Sequence, residues 1–172
     1  MNNIQRMVTI ALLVSMGLIL HFVEGMIPMS FIVPGAKLGL ANIVSLMALV
    51  LFGFKEGLLV LILRVLLGSF LAGTFMTINF YLSISGGLLS FFAMSLLYFY
   101  LKNKFSLIGI SVFGSTFHNI GQVIVAYYII NNPGIFYYLP YLVLLAVPTG
   151  IGIGLVTYFT RDYLLSSNNR RF

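Results

Sequence analysis

Six apolar runs divide the chain, at about residues 7–23, 38–53, 57–75, 83–101, 107–130 and 138–160. About 20 apolar residues carry an α-helix across a hydrocarbon core roughly 30 Å thick, so each run is a candidate crossing. Short polar or turn-forming breaks separate them: residues 24–34 with two prolines, Gly53-Phe54-Lys55-Glu56-Gly57, residues 74–81, Lys102-Asn103-Lys104, and Asn131-Asn132-Pro133-Gly134. The pattern predicts an all-α membrane protein, a single domain over residues 1–172 with about six transmembrane helices in one bundle. Arg6 followed by an apolar run has the outline of a signal peptide. No small-x-small cleavage signal follows His21, however, and five more apolar segments come after it, so the run is expected to stay as the first helix. No internal repeat of the kind that marks many secondary transporters is found.

Composition sharpens this picture. The chain has 172 residues, 60% hydrophobic and 7% charged, with a mean hydropathy of +1.09. So few charges do not cover the surface of a water-soluble domain. There is no cysteine, which removes thiolate metal sites, disulfides and cysteine nucleophiles. The net charge of +6 does not point to nucleic acid, because the basic residues are spread over the ends and short breaks rather than gathered on one face. They sort by side instead. With the amino terminus inside, Arg6, Lys55, Lys102, Lys104, Arg161, Arg170 and Arg171 are cytoplasmic and the outer loops hold only Lys37. Both termini are therefore expected to be cytoplasmic, in a multi-pass protein of the cell membrane.

Polar groups inside a bilayer are costly and ask for a partner or a purpose. Lys37 stands at the outer start of the second helix, where unpaired amides and the positive end of the helix dipole disfavour a cation. A bound anion reverses that penalty, Gly35 and Gly39 give access to the backbone, and Asn42 lies about a turn deeper. The alternative is that Lys37 snorkels to lipid headgroups. Arg64 sits roughly 10 Å along the third helix from Gly57, deep enough to face the bundle interior. Glu24, Glu56 and Asp162 are the three acidic residues and all lie near membrane edges. Arg64 thus pairs either with Glu56 two turns below, with carbonyls, or with an anionic ligand. On the fifth helix Ser111, Gly114, Ser115, His118, Gly121 and Gln122 fall within about 60° of His118, and Asn119 lies beside them. That face serves either interhelical hydrogen bonds or a ligand cavity. Ala11 and Ser15, Gly86-Gly87, and Gly150 and Gly154 after Pro148 read as close-packing positions.

Several chemistries are excluded. The string GxxxxGK[ST] does not occur, so ATP hydrolysis by a P-loop is absent. One aspartate cannot form the clusters that hold magnesium against a pyrophosphate. His21 and His118 do not make a zinc site alone. The chain is expected to be neither an enzyme nor a cofactor or metal carrier.

The string Pro34-Gly35-Ala36-Lys37-Leu38-Gly39-Leu40-Ala41-Asn42-Ile43, with Leu63-Arg64-Val65-Leu66-Leu67-Gly68-Ser69 and His118-Asn119-Ile120-Gly121-Gln122, resembles the Gx transporter family, often labelled heptaprenyl diphosphate synthase component I. The likeness runs from the first helix to the sixth. That family is similar to the S components of energy-coupling factor transporters, six-helix proteins that capture vitamins or related small molecules. The resemblance implies uptake through a partner complex, with a coupling membrane subunit and two ATPases supplying the work. S components commonly dock through small residues of the first helix, a role that Ala11 and Ser15 would fill.

Taken together, the expected function is capture of a small anionic solute from the outer side, vitamin-like or related to an isoprenoid precursor. Lys37, Asn42, Arg64, His118, Asn119 and Gln122 are the expected ligand-binding residues. Residues 24–34 form an apolar lid, and Phe136, Tyr137, Tyr138 and Tyr141 wall the entrance. Two other readings stand beside it. One is a non-transporting membrane adaptor of a prenyl diphosphate synthase. The other is a proton-coupled carrier that titrates Glu24 and His118.

Overall fold

The computed structural model describes residues 3–26, 37–101 and 103–169, with side chains described as far as residue 164. It is all-helical among those residues: α1 Asn3–Met26, α2 Asn42–Phe52, α3 Phe54–Leu71, α4 Ile78–Tyr100, α5 Leu107–Ile130 and α6 Leu139–Asn169, with a short 3-10 helix at Pro133–Tyr138 before α6. The six predicted runs each find their helix. Four stretches, Asn3–Met26, Ile78–Tyr100, Leu107–Ile130 and Pro133–Leu164, are long and apolar enough to cross a membrane. The long apolar side chains of α1 that face outward, among them Ile4, Leu12, Ile19 and Phe22, fit a lipid surroundings. This is a membrane protein.

The ends of the helices follow local chemistry. Gly53, at φ +98°, closes α2 by donating its N–H to Leu49 and leaves α3 to begin at once. At the end of α3, Gly73 takes φ +65° while Thr74 N–H bonds Ser69 and Gly73 N–H bonds Phe70, at 2.8 and 3.1 Å. This double closure satisfies carbonyls that the helix leaves open, and it stops α3 before the predicted residue 75. Ser106 caps α5, its hydroxyl accepting from Gly109 N–H at 3.1 Å, and Asn131 ends that helix in the left-handed region at φ 53°.

Interhelical contacts fix directions. α1 and α3 run parallel: Arg6 pairs with Glu56, Gly17 abuts Arg64, and Gly68 abuts His21. Each helix from α2 to α5 is antiparallel to the one that follows, as in the contacts of Asn42 with Arg64, Gly57 with Phe91, Gly86 with His118 and Ser111 with Gly150. The start of α1 and the end of α6 therefore lie at the same end of the bundle. Apolar clusters around Leu61, Phe91 and Met94, around Leu13, Val44 and Val60, and around Leu82, Val123 and Leu142 enclose a polar centre.

Small residues let α5 and α6 touch. A methyl group on Gly150 would press on the backbone of Val112, and one on Gly154 on the backbone of Ile108. Neither backbone can yield without separating the helices. Gly150→Ala is expected to lower stability by about 1–3 kcal/mol, an overpacking cost. Gly152→Ala, whose added methyl meets nothing within 4 Å, is expected to be neutral or to stabilise by up to about 1 kcal/mol. Thermal unfolding of the two variants in detergent checks the contrast.

Candidate functional site

The second helix begins later than its apolar run. Residues 37–41 are not helical, and Gly39 adopts φ +83°, a conformation that L side chains rarely take. Space also demands glycine here, because a Cβ on Gly39 would stand 2.9 Å from both Asn42 Nδ2 and the His118 ring. Asn42 N–H returns to Gly39 carbonyl at 2.9 Å and Ile43 N–H to Leu40 carbonyl at 3.1 Å, starting α2. Non-helical backbone inside an apolar bundle needs partners from elsewhere.

Two side chains supply them. Gln122 of α5 pairs at two points with one residue, its Oε1 accepting from Lys37 N–H at 3.0 Å and its Nε2 donating to Lys37 carbonyl at 3.1 Å. Glu24 of α1 accepts from Leu40 N–H. The Gln122 pair fixes the amide orientation, since only the nitrogen can face a carbonyl. That nitrogen also approaches His118 Nε2. His118 must then present a lone pair there and carry its proton on Nδ1, beside Gly86.

The cations complete the cluster. Lys37 Nζ lies 2.9 Å from His21 Nε2, so the ammonium donates to a neutral imidazole. Arg64 is buried at 4% exposure and donates to Asn42 Oδ1 at 2.6 Å and to Ser45 Oγ at 3.2 Å. It makes no ion pair within 4.0 Å among the described residues. Glu56, the acid two turns away in sequence, instead binds Arg6 of the parallel α1. Gly17, Gly68, Gly86 and Gly87 abut Arg64, His21, His118 and Arg64 respectively, so glycines on three helices make room for the polar side chains.

Of the residues expected from sequence, Lys37, Asn42, Arg64, His118 and Gln122 converge. Asn119 turns away, its Nδ2 donating to Leu142 carbonyl of α6 at 2.6 Å, in the same manner as Ser111 to Gly150 carbonyl. The polar face of α5 is thus split between the cluster and α6. Ala11 and Ser15 lie on the exposed side of α1, with the Ser15 hydroxyl returned to Ala11 carbonyl at 2.9 Å. Tyr137 and Tyr141 point outward at 83% and 66% exposure, while Phe136 packs against Tyr127. Of the expected lid, residues 27–34 lie outside the described residues.

His21, Glu24 and Ser45 are not among the expected ligand-binding residues, although Glu24 is a titrating group in the proton-coupled reading and opens the expected lid. A signal for the first two exists: Gly17, His21 and Glu24 share the buried stripe of α1 with Leu13 and Val14, at the spacing of one helix face. Ser45 stands three residues after Asn42, on the same side of α2.

A family model described as heptaprenyl diphosphate synthase component I matches residues 13–160. The chain belongs to that family. In this component I chain the match covers the whole polar cluster, from His21 to Gln122. No similar curated protein and no similar solved structure is found. Among the described residues, Asn42 Nδ2 of the component I cluster is a buried polar atom without a hydrogen-bond partner, while His118 Nδ1 faces the Gly86 backbone.

Proposed function

We propose that this component I chain is the solute-binding subunit of an uptake transporter, capturing a small anion from the outer side of the cell membrane. The observation that carries the reading is the meeting of two cations, half-buried Lys37 and buried Arg64, near a single carboxylate, Glu24, with their own hydrogen bonds among the described residues going to neutral groups. Lys37 is served by His21, and Arg64 by Asn42 and Ser45, while the Glu24 carboxylate is engaged with Leu40 N–H. Excess positive charge in a low-dielectric interior favours an anion strongly. Asn42, His118 and the backbone around Gly39 offer directed hydrogen bonds, and Gln122 and Asn119 hold the surrounding helices.

Orientation supports outward capture. Six crossings with both termini inside place Arg6, Lys55, Lys104 and Arg161 on the cytoplasmic side. The cluster, in the opposite half of α1 and α3, then opens to the outside. The missing P-loop fits a division of labour with a coupling membrane subunit and ATPases, for which the exposed Ala11 and Ser15 are the candidate contact. Vitamin-like carboxylates and isoprenoid-related phosphates both suit the charge.

The test is mass spectrometry of small molecules that stay bound through gentle purification. Lys37→Met is expected to reduce the retained anion at least about tenfold, the loss of one charge-assisted contact. Undiminished retention would remove Lys37 from the site. The family description favours a second reading, an adaptor that holds a prenyl diphosphate synthase at the membrane. It predicts co-purification with a soluble synthase and no bound anion.

A further inference from the structure

At the other end of the bundle a separate cavity of about 350 Å³ lies between the last turn of α4, the first turn of α5 and α6. Its floor is apolar, formed by the buried Leu107 and Ile110, and its rim is polar, with Tyr98, Asn103, Tyr158 and Arg161. Arg161 makes no hydrogen bond or ion pair among the described residues. Tyr158 precedes it by three positions and shares its side of α6. Ser106, which caps α5, also lines the cavity, and the first amides of α5 lack helical partners.

The depth of this cavity selects its occupant. Arg161 stands about 33 Å along α6 from Leu139 at 1.5 Å per residue, just past a hydrocarbon core of about 30 Å. Tyr98 and Tyr158 line the cavity at that level, as interfacial tyrosines do. A chamber at headgroup height, with a guanidinium that has no partner among the described residues on its rim and leucine and isoleucine below, matches the two halves of an amphiphile. Guanidinium and phosphate make forked, charge-assisted bonds, and tyrosine hydroxyls add neutral ones.

We propose that this cavity is a binding site for the phosphate group of an anionic amphiphile, held by Arg161 with Tyr98 and Tyr158, and independent of the cluster around Arg64. The two sites are separated by the apolar layer of Leu61, Phe91 and Met94. Lipid headgroups and soluble diphosphates share the chemistry recognised.

The experiment is native mass spectrometry of the full chain in detergent with added dioleoyl phosphatidylglycerol or phosphatidylcholine. Wild-type protein is expected to keep phosphatidylglycerol adducts, and Arg161→Ala to lose about tenfold of them. Arg161→Lys, which keeps charge but not the fork, should fall between. Tyr158→Phe removes one hydroxyl and should cost about twofold to threefold. Phosphatidylcholine adducts should be scarce in all of them. Sodium pyrophosphate then separates the sources: displacement of the lipid supports a soluble diphosphate as occupant, and persistence supports a lipid headgroup. Equal phosphatidylglycerol retention by wild type, Arg161→Ala and Tyr158→Phe would overturn the proposal. None of these outcomes depends on anion capture at Lys37 and Arg64.

Discussion

Arg64→Met should abolish retention of the bound anion while leaving the free protein folded. The substitution keeps a long side chain between Gly17 and Gly87 and removes the guanidinium that bonds Asn42 and Ser45. Truncating one partner of a buried charge-assisted contact costs about 2–5 kcal/mol, on the order of a hundredfold in Kd. Stability of the empty protein follows a different balance. Losing two donated bonds leaves Asn42 Oδ1 and Ser45 Oγ unserved, but a desolvated charge that makes no direct ion pair among the described residues also disappears. These terms oppose each other, so the change is expected to stay within about 2 kcal/mol. Arg64→Lys should lose part of the affinity, because an ammonium cannot reproduce the fork that reaches both Asn42 and Ser45. The decisive measurement pairs thermal unfolding with mass spectrometry of released small molecules on the same samples. Loss of the anion with a preserved unfolding midpoint assigns Arg64 to binding. Loss of the fold with the anion still retained by the surviving fraction assigns it to structure, and the site proposed around it fails.

The contrast between Arg64 and its neighbours shows which parts of the site are readable in sequence. Apolar runs located all six helices, because burial in lipid needs little beyond length and composition. Arg64 and Lys37 stood out since charge inside such runs is costly. Hydropathy failed at residues 38–41, Leu-Gly-Leu-Ala, which are as apolar as the helix they precede. There the deciding quantity is a backbone angle at Gly39, and the bonds that hold the segment come from Glu24 and from Gln122, which stands 85 positions from the Lys37 it binds. Proximity in sequence also misdirected the partner of Arg64. Glu56 lies two turns below it on α3, yet the parallel packing of α1 brings Arg6 to that carboxylate. Asn119 lies apart for an angular reason: it is the next residue after His118, about 100° around the helix, and that rotation turns it from the cluster to α6.

Gln122→Leu is expected to destabilise the protein by about 2–4 kcal/mol, because it strips partners from two half-buried backbone groups at once. The Lys37 N–H and carbonyl both bond the Gln122 amide, and His118 Nε2 meets the same nitrogen. Leucine has nearly the same volume, so lost packing contributes little. Most helix residues of α5 lose nothing comparable when replaced, since their backbone is served within the helix. The damage should be local. Hydrogen exchange at the Lys37 amide should accelerate in the variant, while the amides in the middle of α2 keep their protection. Unchanged exchange at Lys37 would mean that Gln122 does not hold this backbone. Anion retention should fall as well, although Gln122 itself need not touch the ligand. The Lys37 ammonium is positioned by its own main chain, and freeing that segment spreads the charge over many positions. Asn119→Leu provides the comparison: it breaks one bond to α6, at Leu142, and should cost stability without accelerating exchange at Lys37. A variant pair that separates in this way locates the hinge of the site in the broken start of α2, where a glutamine from α5 does the work of the missing helical turn.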